Sequence, residues 1–199
     1  MNLAKDQLHN TDIYLIDQII KGNFDDFNTV LDVGCGKGRN ISYFLNNDFD
    51  VFGIDKNPSR IEEVRQLPNA NFDNFKVAEL ENIPFDKKFD LIICNAVLHF
   101  AKNKINFEDM LFSMWDKLAK KGILFIRLAS DIGIEKSVQS IGDGRYVLPD
   151  GTTRYLINQE NIIDYTLGLN AQFVEKIKTT NVQNLRCMTT WVLKKKDSN

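Results

Sequence analysis

Val30-Leu31-Asp32-Val33-Gly34-Cys35-Gly36-Lys37-Gly38 is the stretch that decides how this 199-residue chain is read. An apolar run suited to a buried strand breaks into a loop with glycine at every second position. Glycine permits a tight turn and lets a ligand approach the backbone with no Cβ in the way. A helix is expected to open at once, from about Gly38 to Asn46, with Ile41, Phe44 and Leu45 on its inner face. Its N-terminus would offer free N–H groups and a partial positive charge to a phosphate or a carboxylate. Asp55 ends the next strand, Asp50 to Asp55, where a carboxylate would lie beside the loop and could accept hydrogen bonds from two ribose hydroxyls. Two details argue against a dinucleotide. The glycines are spaced GxGxG rather than GxGxxG, and the carboxylate of Asp32 would repel a pyrophosphate while suiting an ammonium group.

Outward from this stretch, short apolar runs alternate with helical patterns, the signature of a parallel sheet covered by helices. Leu8 to Ile20, with Ile13, Ile16, Ile19 and Ile20 at helical spacing, predicts an amphipathic N-terminal helix within residues 1–22. Strands are expected at Thr29–Gly34, Asp50–Asp55, Phe75–Glu79, Phe89–Asn95 and Gly122–Leu128, with helices from Pro58 to about Leu67 and from Phe107 to Ala119. Residues 129–158 read as an irregular insert or lid, with two turn signatures between Gly142 and Gly151. A helix over Gln159–Leu167 follows. Phe173–Thr180 and Arg186–Lys194 then read as two strands so close that they must be antiparallel. The expectation is one α/β domain over residues 1–199, with a seven-stranded, mostly parallel sheet, helices on both faces and a C-terminal antiparallel hairpin.

VLDVGCGKG followed by Gly53-Ile54-Asp55 resembles the first motif and acidic post-motif of class I S-adenosylmethionine-dependent methyltransferases, which have a Rossmann-like fold. Ala78-Glu79-Leu80-Glu81-Asn82-Ile83-Pro84-Phe85 resembles the family's adenine-binding segment, with Glu where Asp is more common, and Phe89 to His99 resembles its fourth strand. The likeness is clearest from Asn28 to Leu128. Gly38-Arg39-Asn40 resembles, more narrowly, the tellurite-resistance-type small-molecule methyltransferases. The resemblance implies S-adenosylmethionine as cofactor. It implies a cofactor site made of Asp32, Gly34, Cys35, Gly36, Gly38, Asp55, Lys56, Glu79, Leu80 and Asn95, in which Glu79 and Leu80 hold the adenine.

In-line methyl transfer from a sulfonium needs positioning more than acid–base chemistry, so a catalytic residue need leave no motif. His99 and Asn95, at or just past the end of the fourth strand, are the candidates, His99 as a base. Arg127, set among apolar residues, joins Arg145, Tyr146 and Arg186, with Arg154 and Tyr155 nearby, as a candidate anion site for the acceptor. The competing reading is internal ion pairs, for Arg127 with Asp131, Asp143 or Asp150. Marks of nucleic-acid methyltransferases are missing: Asn95 is followed by Ala96-Val97-Leu98 instead of Pro-Pro-aromatic, Cys94 is preceded by Ile93 instead of Pro, and no Lys-Asp-Lys-Glu tetrad is recognisable.

A net charge of −2 and a pI near 5.7 give no electrostatic footprint for nucleic acid or an anionic membrane. The three cysteines and the histidines His9 and His99 lack metal-ligand spacing, so no metal site is expected. No secretory segment near Met1 and no membrane span is read, and reduced thiols fit the cytoplasm. The expected partner is therefore a small-molecule acceptor, anionic if the arginines bind it. Nucleic acid and membrane are not expected partners, and the chain is expected to be a monomer or a homodimer. The competing readings are a non-catalytic S-adenosylmethionine-binding or partner subunit and an NAD(P)-dependent oxidoreductase.

Overall fold

The computed structural model describes residue 8 and residues 10–197. The start of the expected N-terminal helix, apart from Leu8, His9 and the segment near Met1 lie outside them. The first described helix, α1 (Ile13–Ile20), is capped by Asp12, whose carboxylate accepts from the Tyr14 N–H. Its inner face is not the isoleucine stripe. Leu15 and Gln18 are buried, while Ile13 and Ile20 are 66% and 76% exposed. The anchoring of Asp12, described below, fixes the rotation of the helix and turns those two isoleucines outward.

The chain then runs through β1 (Thr29–Val33), the four-residue helix α2 (Ser42–Leu45), β2 (Asp50–Asp55), α3 (Pro58–Val64), β3 (Phe75–Val77) and β4 (Phe89–Asn95). Next come α4 (Lys104–Lys117), β5 (Leu118–Ser130), β6 (Gln139–Gly142), β7 (Arg145–Val147), β8 (Thr153–Tyr155), α5 (Gln159–Gly168), β9 (Ala171–Phe173), β10 (Lys178–Val182) and β11 (Arg186–Lys195). The central sheet has the order β10-β11-β5-β4-β1-β2-β3. Pairing is parallel from β5 to β3, and β11 lies antiparallel to β5 and β10. The sheet has eight strands where seven were expected, because Phe173–Thr180 is not one strand. β9 and β10 share one edge of β11 and are separated by a bend at Val174–Ile177.

Alternation along the strands feeds two cores. Leu31, Val33, Phe52 and Ile92 face Phe107, Leu111 and Trp191 on one side, and Val30, Val51, Leu91 and Ile93 face Leu15, Ile41, Phe44 and Ile61 on the other. The order reverses between β1 and β4, so the loops after these strands part and leave a crevice at their carboxyl ends.

Residues 129–158 are ordered rather than irregular. β6, β7 and β8 form a separate antiparallel sheet. Its first hairpin turns on Asp143 and Gly144, with φ of 53° and 76°, the two positive values a type I′ turn requires. A bridge from Ser130 to Ile157 and a small cluster of Ala129, Leu148 and Leu156 pack this sheet against the end of β5.

Trp191 is fully buried, and its indole N–H donates to Thr166 Oγ1 at 3.1 Å, which ties β11 to α5. Trp191→Ala should cost about 4 kcal/mol of stability, and Thr166→Val about 1 kcal/mol through the orphaned N–H, both read by urea denaturation. Wild-type stability in either variant would contradict this packing.

Candidate functional site

The loop after β1 is tied to β2 and not to a following helix. Gly34 and Cys35 N–H both donate to Ile54 O, at 2.8 and 2.9 Å, and Gly36 N–H donates to Asp55 Oδ2 at 3.0 Å. Gly38 N–H closes the turn on Cys35 O at 2.9 Å. The expected helix from Gly38 is a correction. The chain continues in turns to Ser42, so the helix is shorter than expected, and the four-residue α2 has no side-chain cap. The glycines contribute conformation and clearance. Gly34, Gly36 and Gly38 have φ of 72°, 54° and 81°. A Cβ on Gly34 would overlap Val97, and one on Gly38 would overlap Leu67, whereas Gly36 has open space in that direction.

Two cavities flank this turn. One of about 510 Å³ is lined by Gly34, Cys35, Gly36, Gly38, Asn40 and Asn95. Another of about 630 Å³ is lined by Gly34, Asp55, Lys56, Glu79, Leu80 and Asn95. Gly34 and Asn95 border both. Every residue expected at the cofactor site therefore lines one or both, except Asp32. Asp32 is buried in β1 beneath the loop. Burial pushes its carboxyl up to about 8, the Arg39 charge opposing and the Asp55 charge adding. Its Oδ2 is buried with no hydrogen-bond partner, and both amide atoms of Asn95 share that condition. Buried polar groups are rarely left so, since each orphan costs about 1–3 kcal/mol.

A third cavity, of about 290 Å³, shares Ala96 with the second and is lined by His99, Arg127, Asp150, Arg154 and Arg186. Two expected members of this group are elsewhere. Arg145 stands opposite Tyr155 in the insert sheet, and Tyr146 packs on the Ala129–Leu148 cluster. Tyr155 is a core residue stacked on Phe107 at 4.7 Å.

Two further expectations change. Arg127 is ion-paired at 3.0 Å with Asp12, not with Asp131, Asp143 or Asp150, and its guanidinium lies 5.2 Å from the Tyr14 ring centre. The Asp12 N–H also donates to Asn40 Oδ1 at 3.1 Å, so this one residue joins α1, β5 and the glycine loop. His99 does not present a base. Its Nδ1 accepts from the Ala129 N–H at 3.3 Å, so the remaining nitrogen, Nε2, carries the proton. Burial, then the charges of Arg154 and Arg186, push its pKa down to about 4 and keep the ring neutral. Among the described residues, no group of three or more His, Cys, Asp or Glu could hold a metal ion, and no helix is long and apolar enough to cross a membrane.

Comparison with known proteins fits this crevice. Residues 31–126 match the family described as "Methyltransferase domain". A S-adenosylmethionine-dependent methyltransferase from Methanosarcina mazei superposes with a TM-score of 0.73 at 15% identity, covering 90% of this chain and 98% of that one. The chain thus carries a methyltransferase-domain match over its first five strands and has the fold of S-adenosylmethionine-dependent methyltransferases. TehB from Haemophilus influenzae shares the fold, with a TM-score of 0.66 at 18% identity over 90% of this chain and 62% of that one. The ubiquinone biosynthesis O-methyltransferase of Rickettsia bellii is 27% identical over 85% of this chain and 68% of its own length. The chain spans 29% to 68% of the length of the first curated relatives it matches.

The Asp12–Arg127 pair yields a prediction. Asp12 is 7% exposed, so Arg127→Ala leaves its carboxylate with the Tyr14 N–H and the more distant Arg39, at 3.9 Å, and should cost about 2 kcal/mol. Adding Asp12→Ala should cost less than the two single losses combined. Additive losses in chemical denaturation would show the two groups to be uncoupled.

Proposed function

We propose that this chain transfers the methyl group of S-adenosylmethionine to a small-molecule acceptor bound in the third cavity. The observation that carries this reading is the meeting of buried, unpartnered Asp32 and Asn95 atoms with a glycine turn at the carboxyl ends of β1 and β4. These residues fit the cofactor. Asp32 Oδ2 has the charge and the vacancy for an ammonium group, reached directly or through water. Each oxygen of Asp55 accepts one backbone N–H, from Gly36 and Asn57, and keeps a second lone pair for a ribose hydroxyl. Glu79 and Leu80, with Lys56 opposite, would border the adenine. Asn95 and Ala96, where the cavities adjoin, would stand beside the methyl group.

When bound, S-adenosylmethionine supplies an electrophilic methyl carbon on a sulfonium. The chain's part is alignment and exclusion of water, which can supply about 7–11 kcal/mol of the barrier in favourable cases. The third cavity is lined mainly by donors: Asp150 Oδ1 accepts from the Thr152 N–H and Oγ1, and His99 presents an N–H. Its cationic wall favours the deprotonated form of an acceptor, which then needs no base. A cavity of about 290 Å³ walled by the insert sheet suits a compact molecule better than a macromolecule.

Three measurements test this. Incubation of the full chain with S-adenosylmethionine and a panel of small nucleophiles should release S-adenosylhomocysteine only when an acceptor is present; binding without acceptor-dependent release would indicate a non-catalytic subunit. Asp55→Ala should weaken cofactor binding by about 2 kcal/mol, and unchanged affinity in the folded variant would dismiss the pocket. Burial keeps the proton on the Asp32 carboxyl below about pH 8, and an ammonium requires the carboxylate. Binding should thus release a proton, and affinity should fall by up to about tenfold per unit as pH drops below that value. A slope that survives Asp32→Asn would assign it to another group.

A further inference from the structure

The third cavity carries more charge than the fold consumes. Of its three arginines, Arg127 is spent on Asp12. Arg154 donates to the Thr153 carbonyl at 2.7 Å and covers the Phe100 ring at 5.0 Å, and among the described residues neither it nor Arg186 is paired with a carboxylate. The carboxylate that lines the cavity, Asp150, is turned into the Thr152 N–H and hydroxyl at 2.9 and 2.6 Å. Counting both free guanidiniums against Asp150 leaves one net positive charge. Arg127 also keeps a buried Nε–H with no acceptor. Ala129, Leu148 and Met188 supply an apolar wall beside this charge.

We propose that this cavity binds the carboxylate of a small monoanionic acceptor between the guanidiniums of Arg154 and Arg186, against the apolar wall of Leu148 and Met188. Guanidinium donors match a carboxylate two by two, and a single net charge matches a monoanion better than a phosphate dianion. His99, whose free nitrogen carries a proton, adds a neutral donor and no competing acceptor. Arg154 comes from β8 and Arg186 from β11, so the insert sheet is what turns an open strand edge into a selective pocket. Ala96 borders both this cavity and the neighbouring one, which would place a bound acceptor beside the end of the crevice where the methyl group is proposed to lie. The proposal rests on reading the two neighbouring cavities as the S-adenosylmethionine site.

The test titrates the full chain, saturated with S-adenosylhomocysteine, with benzoate, benzamide and phenyl phosphate. Calorimetry reads affinity, and nitrogen-15 NMR reads the arginine Nε–H signals. Benzoate should bind at least about tenfold more tightly than the isosteric, uncharged benzamide and should shift the Arg154 and Arg186 signals. Phenyl phosphate should bind no more tightly than benzoate. Arg154→Gln and Arg186→Gln should each weaken benzoate about tenfold and leave S-adenosylhomocysteine affinity at the wild-type value, which also shows that the variants fold. Equal binding of benzoate and benzamide, preference for phenyl phosphate, benzoate binding that both variants retain, or no benzoate binding would each overturn the proposal. A wild-type protein that fails to take up S-adenosylhomocysteine would instead overturn the cofactor reading beneath it.

Discussion

The turn that leaves β1 is fastened to the end of β2 by three hydrogen bonds, from Gly34 and Cys35 N–H to Ile54 O and from Gly36 N–H to the Asp55 carboxylate. Side chains at Gly34 or Gly38 would break that fastening by colliding with Val97 or Leu67. Because the turn lies flat against β2, space is left on both of its sides, and the two cavities that share Gly34 and Asn95 occupy that space. Asp55 is part of the scaffold before it is a ligand: one of its oxygens holds the loop and the other caps the turn at Asn57. A substitution there disturbs loop geometry along with any ribose contact.

The carboxyl edge is closed from the other direction by Asp12. Its side chain caps α1 and pairs with Arg127, while its backbone N–H reaches Asn40. The N-terminal segment is thereby held over the glycine turn and the end of β5 together, and Arg127, which lines the third cavity, is fixed to that segment. The insert sheet walls the third cavity, with Arg154 on the strand that its second turn delivers.

Much of this was legible in the residues, and what escaped has physical causes. The strands Asp50–Asp55 and Phe89–Asn95 form with the bounds that their apolar runs and flanking polar residues indicate. The glycine pattern, Asp55 and Glu79 pointed to residues that line the two cavities beside the turn, because backbone clearance and strand-end carboxylates are local signals. The helix after the loop was misread because Gly38, at φ 81°, continues a turn where the apolar spacing suggested a helix. The insert strands are three or four residues long, too short to show alternation, but the two turn signatures between Gly142 and Gly151 stand at the two turns that join them. The Asp12–Arg127 pair joins residues 115 apart, and no spacing rule connects them. The engagement of His99 Nδ1 by the Ala129 N–H is a tertiary contact that composition does not encode.

The most direct measurement is a calorimetric titration of the full chain with S-adenosylmethionine and S-adenosylhomocysteine, with NADH as the control. Binding of both sulfur ligands, and none of NADH, is the result expected of a crevice whose glycine turn stands over the buried carboxyl of Asp32. Binding of NADH with the sulfur ligands inert would contradict that assignment and return the glycine turn to dinucleotide chemistry.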